Sequence, residues 1–274
     1  MKGFFLNYFH LYLTALVLTV TFSACNQFSK IQKSKDPQVK YDAAKKYYAD
    51  RHYLKAYTLL EDIVPYYKGT PESHEVLFLL GKCYEGNKDY LLANSYYTTY
   101  TKSFPRHSHA EEAWFLRGET LSKSSPDPKL DQTDTRNAIS AFQDYVSLYP
   151  DGQWKARADS AISALRDKLA EKEFANAKLY YNLGNYLGNN YQSAVITAQN
   201  AIRDYPESKH VEELNFLILQ SKYQQAKHSV KEKQTERYEQ TQDEYYNFAS
   251  SYPNSRFKKD ADKIFEETRQ FLKN

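Results

Sequence analysis

Residues 77–105 read LFLLGKCYEGNKDYLLANSYYTTYTKSFP, and the order of small and large side chains in this stretch decides the fold. Leu77 and Leu80 lie about one helical turn apart, Gly81 follows, and Tyr84 comes a turn later. After a polar break at Asn87-Lys88-Asp89 come Ala93, Tyr97 and the closing pair Phe104-Pro105. Helical apolar spacing on both sides of a short polar turn predicts two antiparallel helices. Gly81 and Ala93 are small where those helices cross closely, and Tyr84 and Tyr97 fill the space on either side. Pro105 ends the unit because proline cannot continue a helix.

The unit recurs along the chain. Aromatic-proline pairs stand at Phe104-Pro105, Tyr149-Pro150, Tyr205-Pro206 and Tyr252-Pro253, with a serine in a near-constant place after three of them. Spacing of small residue, tyrosine, alanine, aromatic and proline is that of the tetratricopeptide hairpin, and an insertion or longer helix in each unit accounts for intervals above ~34 residues. The third unit carries Trp114, Gly118 and Leu121, then Ala138, Phe142, Tyr145 and Pro150, with a polar loop expected over 122–135. The first shows Ala44, Tyr47, Ala56 and Leu60, with Lys68 where proline would stand. The fourth keeps Ala194, Ala198, Ala201 and Pro206 in its second helix, while the register of its first helix is loose around Tyr180-Tyr181. The fifth keeps Tyr245, Phe248 and Pro253 beyond a basic turn expected over 227–235, and a last amphipathic helix from about 255 to 272 would cap the array. The expectation is an all-α, tetratricopeptide-type helical-hairpin solenoid of about five repeats plus a C-terminal capping helix. Repeats one to three would occupy 38–151, and repeats four and five with the cap 152–274.

Composition agrees. The 274 residues include only 8 Gly and 9 Pro, about half the usual share, which disfavours turn-rich β architectures and linker-like disorder. Aromatics make up 16%, with 26 Tyr and 15 Phe, far more than disordered chains carry. With 37 Lys+Arg against 34 Asp+Glu the net charge is +3, and the basic residues alternate with acids. Nucleic acid is therefore not an expected partner.

Residues 1–24 read as an address. Lys2 precedes an apolar run from about Leu11 to Val20, and Phe22-Ser23-Ala24-Cys25 follows, resembling a bacterial lipobox. A lipoprotein signal peptide over 1–24 makes Cys25 the lipidated first residue of the mature chain, and 25–37 a lipidated tether. The competing readings are plain secretion, for which Phe22 stands where a small residue is wanted, and a spanning helix, for which the run falls short of ~20 residues. Asn26, by analogy with lipoprotein sorting, favours the outer membrane. Cys83 is the only other cysteine, and its apolar setting reads as a small buried hydrophobe.

No phosphate-binding loop, nucleophile elbow or His-Glu-x-x-His is present, so no catalytic activity, cofactor or metal is expected. His107 and His109 would fall on different faces of a helix, and Ser108 to Glu111 reads as a capping box. A binding surface is the better candidate. Taking Ala44, Gly81 and Gly118 as equivalent, the residue three earlier is Tyr41, Phe78 and Phe115, and the residue one later is Lys45, Lys82 and Glu119. These six residues form a candidate peptide-binding row on the first helices, the lining of a solenoid's concave face. The row reads two ways: as sockets for an extended segment with alternating apolar residues, or as rings that only pack adjacent first helices together.

With these features in hand, the chain resembles the BamD family of lipoproteins of the β-barrel assembly machinery, over residues 38–226 at least. Leu116-Arg117-Gly118 before the long loop and Arg136 to Phe142 after it carry the resemblance, with Asp167 to Phe174 and Arg203-Asp204-Tyr205-Pro206-Glu207-Ser208. The resemblance implies a non-enzymatic scaffold, lipid-anchored in the outer membrane and facing the periplasm. Its C-terminal units, with Arg203, Asp204 and Tyr205, would bind the membrane-proximal POTRA domain of BamA beside other lipoproteins of the machinery. Its N-terminal units would receive unfolded outer-membrane proteins. Two departures stand out: Thr197 where other members place a BamA-contacting basic residue, and a longer segment beyond 227. The rival readings are another tetratricopeptide adaptor of the cell envelope, and a periplasmic hydrolase or its accessory.

Overall fold

The structure is a computed structural model that describes residues 27–273. The segment 1–24 expected as a signal peptide, and Cys25 expected as the lipidated residue, lie outside the described residues. A helical stretch covers 27–32. Then follow α1 (Pro37–Ala49), α2 (Tyr53–Tyr67), α3 (Ser73–Gly86), α4 (Tyr90–Ser103), α5 (Ala110–Ser124) and α6 (Thr133–Leu148). The rest of the chain forms α7 (Lys155–Leu183), α8 (Asn190–Asp204), α9 (Val211–Lys227), α10 (Lys231–Ser251) and α11 (Lys258–Lys273). There is no strand among the described residues. The fold is the helical-hairpin solenoid that the repeat predicts, closed by α11.

Among the described residues, those up to 124 with 140–158 form one compact unit, and 125–139 with those from 159 onward a second. In the first unit α1 to α5 pack each on the next. The small positions work as close-contact points: a Cβ at Gly81 would meet the Tyr97 ring at 2.6 Å, and one at Gly118 the Phe142 ring at 2.5 Å. Ala44, Ala56 and Ala93 are fully buried. The hairpin turns are built alike. Arg51 and Lys88 take left-handed conformations at φ 59° and 65°, and Asp89 caps α4 by accepting from Leu92 N at 3.2 Å. In the second unit Ala177, Val195, Ala198, Leu214, Leu217 and Ile218 form one apolar cluster, and Phe216, Leu219, Phe248 and Ala261 another under α11.

The structure corrects two loops and settles one register. The third hairpin's loop is 125–132 rather than 122–135, because Asp131 accepts from Thr133 N at 2.9 Å and starts α6 early. That loop is ordered around Gln132, which is fully buried and donates to the carbonyls of Asp127 (2.7 Å) and Leu130 (3.1 Å). The fifth hairpin's turn is only 228–230, since the charged run from Lys231 consists mostly of good helix formers. In the fourth unit the first helix is the second half of α7, registered by Phe174 and the fully buried Ala177, with Tyr181 packed against the same cluster and Tyr180 half-exposed.

Candidate functional site

Tyr41, Phe78 and Phe115 occupy equivalent places on α1, α3 and α5, all in the first unit, and each ring is buried at 5%, 8% and 3% exposure. They pack against the second helix of their own hairpin: Phe78 lies 5.9 Å from Tyr97, and Phe115 5.7 Å from Phe142. Each outer ring face is covered by a polar or cationic side chain. Lys45 Nζ sits 4.3 Å above Tyr41, His109 stacks on Phe78 at 4.2 Å, and the Arg157 guanidinium lies 4.8 Å from Phe115, which also stacks on Trp154. The covering side chains are themselves exposed: 48% for Lys45, 39% for His109 and 62% for Arg157. Burial and a hydrogen bond to Glu75 (2.8 Å) push the Tyr41 phenol upward, keeping it a neutral donor.

The charged members of the row are held in ion pairs. Lys45 pairs with Asp42 at 3.0 Å, Lys82 with Glu112 at 3.4 Å, and Glu119 with Arg157 at 3.1 Å and Lys123 at 3.8 Å. Lys123 also reaches Glu85 at 2.8 Å, and Tyr97 donates to the same carboxylate at 2.8 Å. Burial raises the Glu85 carboxyl, but hydrogen bonds from Lys123 and Tyr97 outweigh it and hold the group below its ordinary value. The face is therefore a line of rings under partly exposed covers, edged by partly exposed ion pairs.

His109 and Trp154 belong to a series that the periodicity within hairpins does not reveal. Each stands five residues after the aromatic of an aromatic-proline pair, as do His210 and Phe257. In the second unit His210 stacks on Phe174 at 5.2 Å and 13°, and Phe257 on Phe216 at 4.6 Å and 7°. The first-helix ring of one repeat is thus covered by the residue that leads into the next. Counting five from Phe104, Tyr149, Tyr205 and Tyr252 finds them all. Glu111, expected to close a capping box, instead accepts from Tyr145 Oη at 2.9 Å and Gln153 N at 2.7 Å. His107 lies 4.3 Å from His74, separate from His109 on its own ring.

In the second unit Arg203 and Asp204 pair with each other at 2.9 Å, and Tyr205 borders a polar recess of about 420 Å³ lined also by Ile162, Arg166, Asp167 and Glu207. Arg166, one residue before the stretch from Asp167 that carries the resemblance, holds this corner. It donates to the Asp204 carbonyl at 3.0 Å and lies 5.8 Å from the Tyr205 ring. Cys83 is fully buried, and burial pushes its thiol up to about 12. No helix among the described residues is long and apolar enough to cross a membrane.

A family model described as YfiO, outer membrane lipoprotein, matches residues 33–189 and 183–274. Among curated proteins, the chain is 27% identical over 173 residues to an Aquifex aeolicus protein provisionally named outer membrane protein assembly factor BamD, covering 63% of this chain and 53% of that one. It is 29% identical over 134 residues to the outer membrane protein assembly factor BamD of Neisseria meningitidis serogroup A, covering 44% and 46%. For the serogroup B protein of the same name the identity is 26% over 237 residues, covering 77% and 83%. In the first two, the chain spans about half the length of its relative.

Proposed function

Because this chain belongs to the YfiO family of outer membrane lipoproteins, we propose that it works in outer-membrane protein assembly as a non-catalytic scaffold. It is lipid-anchored through Cys25 on the periplasmic side, with 1–24 removed as signal peptide and 25–37 linking the anchor to the repeats. The observation that carries the reading is the row of covered rings at Tyr41, Phe78 and Phe115. An unfolded outer-membrane protein offers extended segments with alternating apolar and aromatic side chains. Such a segment displaces Lys45, His109 and Arg157 and stacks on the rings beneath, while Lys82 and Glu119 exchange their internal ion pairs for contacts with its backbone and charges. Contacts of this size are individually weak, which suits a client that must be handed on.

The second unit, with Arg203, Asp204 and Tyr205 around the Arg166 recess, is the docking site for the POTRA region of BamA and for sister lipoproteins of the machinery. Relatives named as BamD assembly factors support a role beside the other parts of the assembly machinery. The test is affinity purification of the tagged chain from detergent-solubilised membranes, with depletion followed by outer-membrane protein levels. BamA in the eluate and falling barrel-protein levels are expected. Absence of BamA with unchanged barrel-protein levels overturns the reading and leaves another envelope adaptor in its place.

A further inference from the structure

The edge of the first unit formed by the hairpin turns carries features that neither the ring row nor the partner recess uses. Phe28 packs edge-on against Tyr47 at 5.7 Å, with Lys55 Nζ 5.8 Å from its ring. Tyr47 lies near the end of α1 and Lys55 near the start of α2, so the chain joins the array at the first hairpin's turn. Cys25 is three residues before Phe28, within roughly 10 Å of extended chain. The second turn lies beside the first: a Cβ at Gly86, the last residue of α3, would meet the Tyr53 ring of α2 at 2.5 Å.

Aliphatic side chains stand out from this shared edge, Leu54 at 59%, Leu91 at 77% and Leu92 at 40% exposure. The apices of both turns are exposed cations, Arg51 and Lys88, held in left-handed conformations where glycine is the ordinary choice. Nearby acids are few. Asp89 accepts from Leu92 N, Glu85 is taken by Lys123 and Tyr97, and Asp50 alone stands exposed beside Arg51. Exposed leucines flanked by cations are the pattern of a surface that enters the headgroup region of a bilayer.

We propose that the turn edge of the first two hairpins docks on the bilayer that holds the lipid anchor. Leu54, Leu91 and Leu92 enter the interfacial layer, and Arg51 and Lys88 meet headgroup phosphates. The anchor then acts as one of two membrane contacts and orients the first unit, rather than leaving it on a free leash. This rests on the lipoprotein reading of Cys25.

The experiment uses the full chain, purified from membranes in detergent and reconstituted into vesicles of phosphatidylethanolamine and phosphatidylglycerol. An environment-sensitive dye is placed on the edge through Asn87→Cys, or at the far end of α2 through Tyr66→Cys, where the side chain is 67% exposed. Nitroxide-bearing lipids should quench the edge dye at least threefold more than the far dye. Leu54→Asp with Leu91→Asp should abolish that difference with helicity unchanged, and Arg51→Glu with Lys88→Glu should reduce it at least twofold. Equal quenching at both positions in a chain that floats with the vesicles overturns the edge contact and spares the lipoprotein reading. A chain that neither floats nor carries acyl mass overturns both. Crosslinking of the edge to a membrane protein in place of lipid quenching overturns the bilayer in favour of a protein partner.

Discussion

The His109 imidazole lies flat on the Phe78 ring, centroids 4.2 Å apart and planes 4° from parallel. His109 leads into α5, whereas Phe78 sits mid-way along α3. The contact therefore joins consecutive repeats across the first-helix face. Its counterparts at Phe115 and Trp154, Phe174 and His210, and Phe216 and Phe257 make it a rule of construction.

Stacked pairs of this kind contribute about 1 kcal/mol beyond area burial. His109→Ala should lower unfolding stability by about that much, and His109→Phe should restore most of it; urea midpoints read both. If the Phe78 ring receives client segments, the alanine variant binds an aromatic-ended strand peptide severalfold more tightly per folded molecule. Unchanged affinity assigns the ring to packing alone.

Gly81→Ala and Lys88→Gly should move stability in opposite directions. At Gly81 the new methyl meets the fully buried Tyr97 ring, which has no space to retreat, and overpacking of this kind costs about 1–3 kcal/mol. At Lys88 the left-handed turn penalises any Cβ, and glycine there adds about 0.5–1 kcal/mol. Thermal or urea unfolding of the two variants checks the signs.

Glu85 gives the fold an acid dependence. Its carboxyl is held below the ordinary value of 4.5 despite burial, so the folded state favours the ionised form. The stability that this contributes is fully present above the unfolded value and is lost as pH falls through the folded one. The gap in unfolding free energy between wild type and Glu85→Gln should be constant near neutrality and shrink below about pH 4.5. A gap that widens on acidification contradicts the assignment.

The loop 125–132 is tied to α7 by two lysines. Lys168 Nζ donates to Ser125 O (3.1 Å) and Oγ (2.8 Å), and Lys172 Nζ to Leu130 O (2.6 Å). Charge-assisted bonds of this type are worth about 1.5–3 kcal/mol each. Lys168→Met with Lys172→Met should raise amide exchange in the loop at least tenfold while leaving exchange in α3 and α4 unchanged.

The hairpins were legible because sterics wrote them. Gly81 against Tyr97 and Gly118 against Phe142 are contacts that only a missing side chain permits, and the aromatic-proline breaks mark where each hairpin ends. Charged surface helices were harder. The run from Lys231 looks like a loop by polarity, yet its residues favour helix by propensity, and the start of α6 depends on the single side chain of Asp131. The ring row at Tyr41, Phe78 and Phe115 was found by register alone. The covers His109 and Arg157 were missed because they come from beyond the hairpin whose ring they cover, and a periodicity taken within hairpins is blind to them.

The fifth-place stacking changes where the array can be divided. From the second hairpin on, each leaves one aromatic face bare until the lead-in of its successor closes over it, so the repeating block and the block that is finished on all sides are offset, like dovetail joints cut half a step out of phase. A fragment ending just before His109, Trp154, His210 or Phe257 ends on an adhesive face. Phe257 closes the last such face among the described residues, on Phe216, and leads directly into α11.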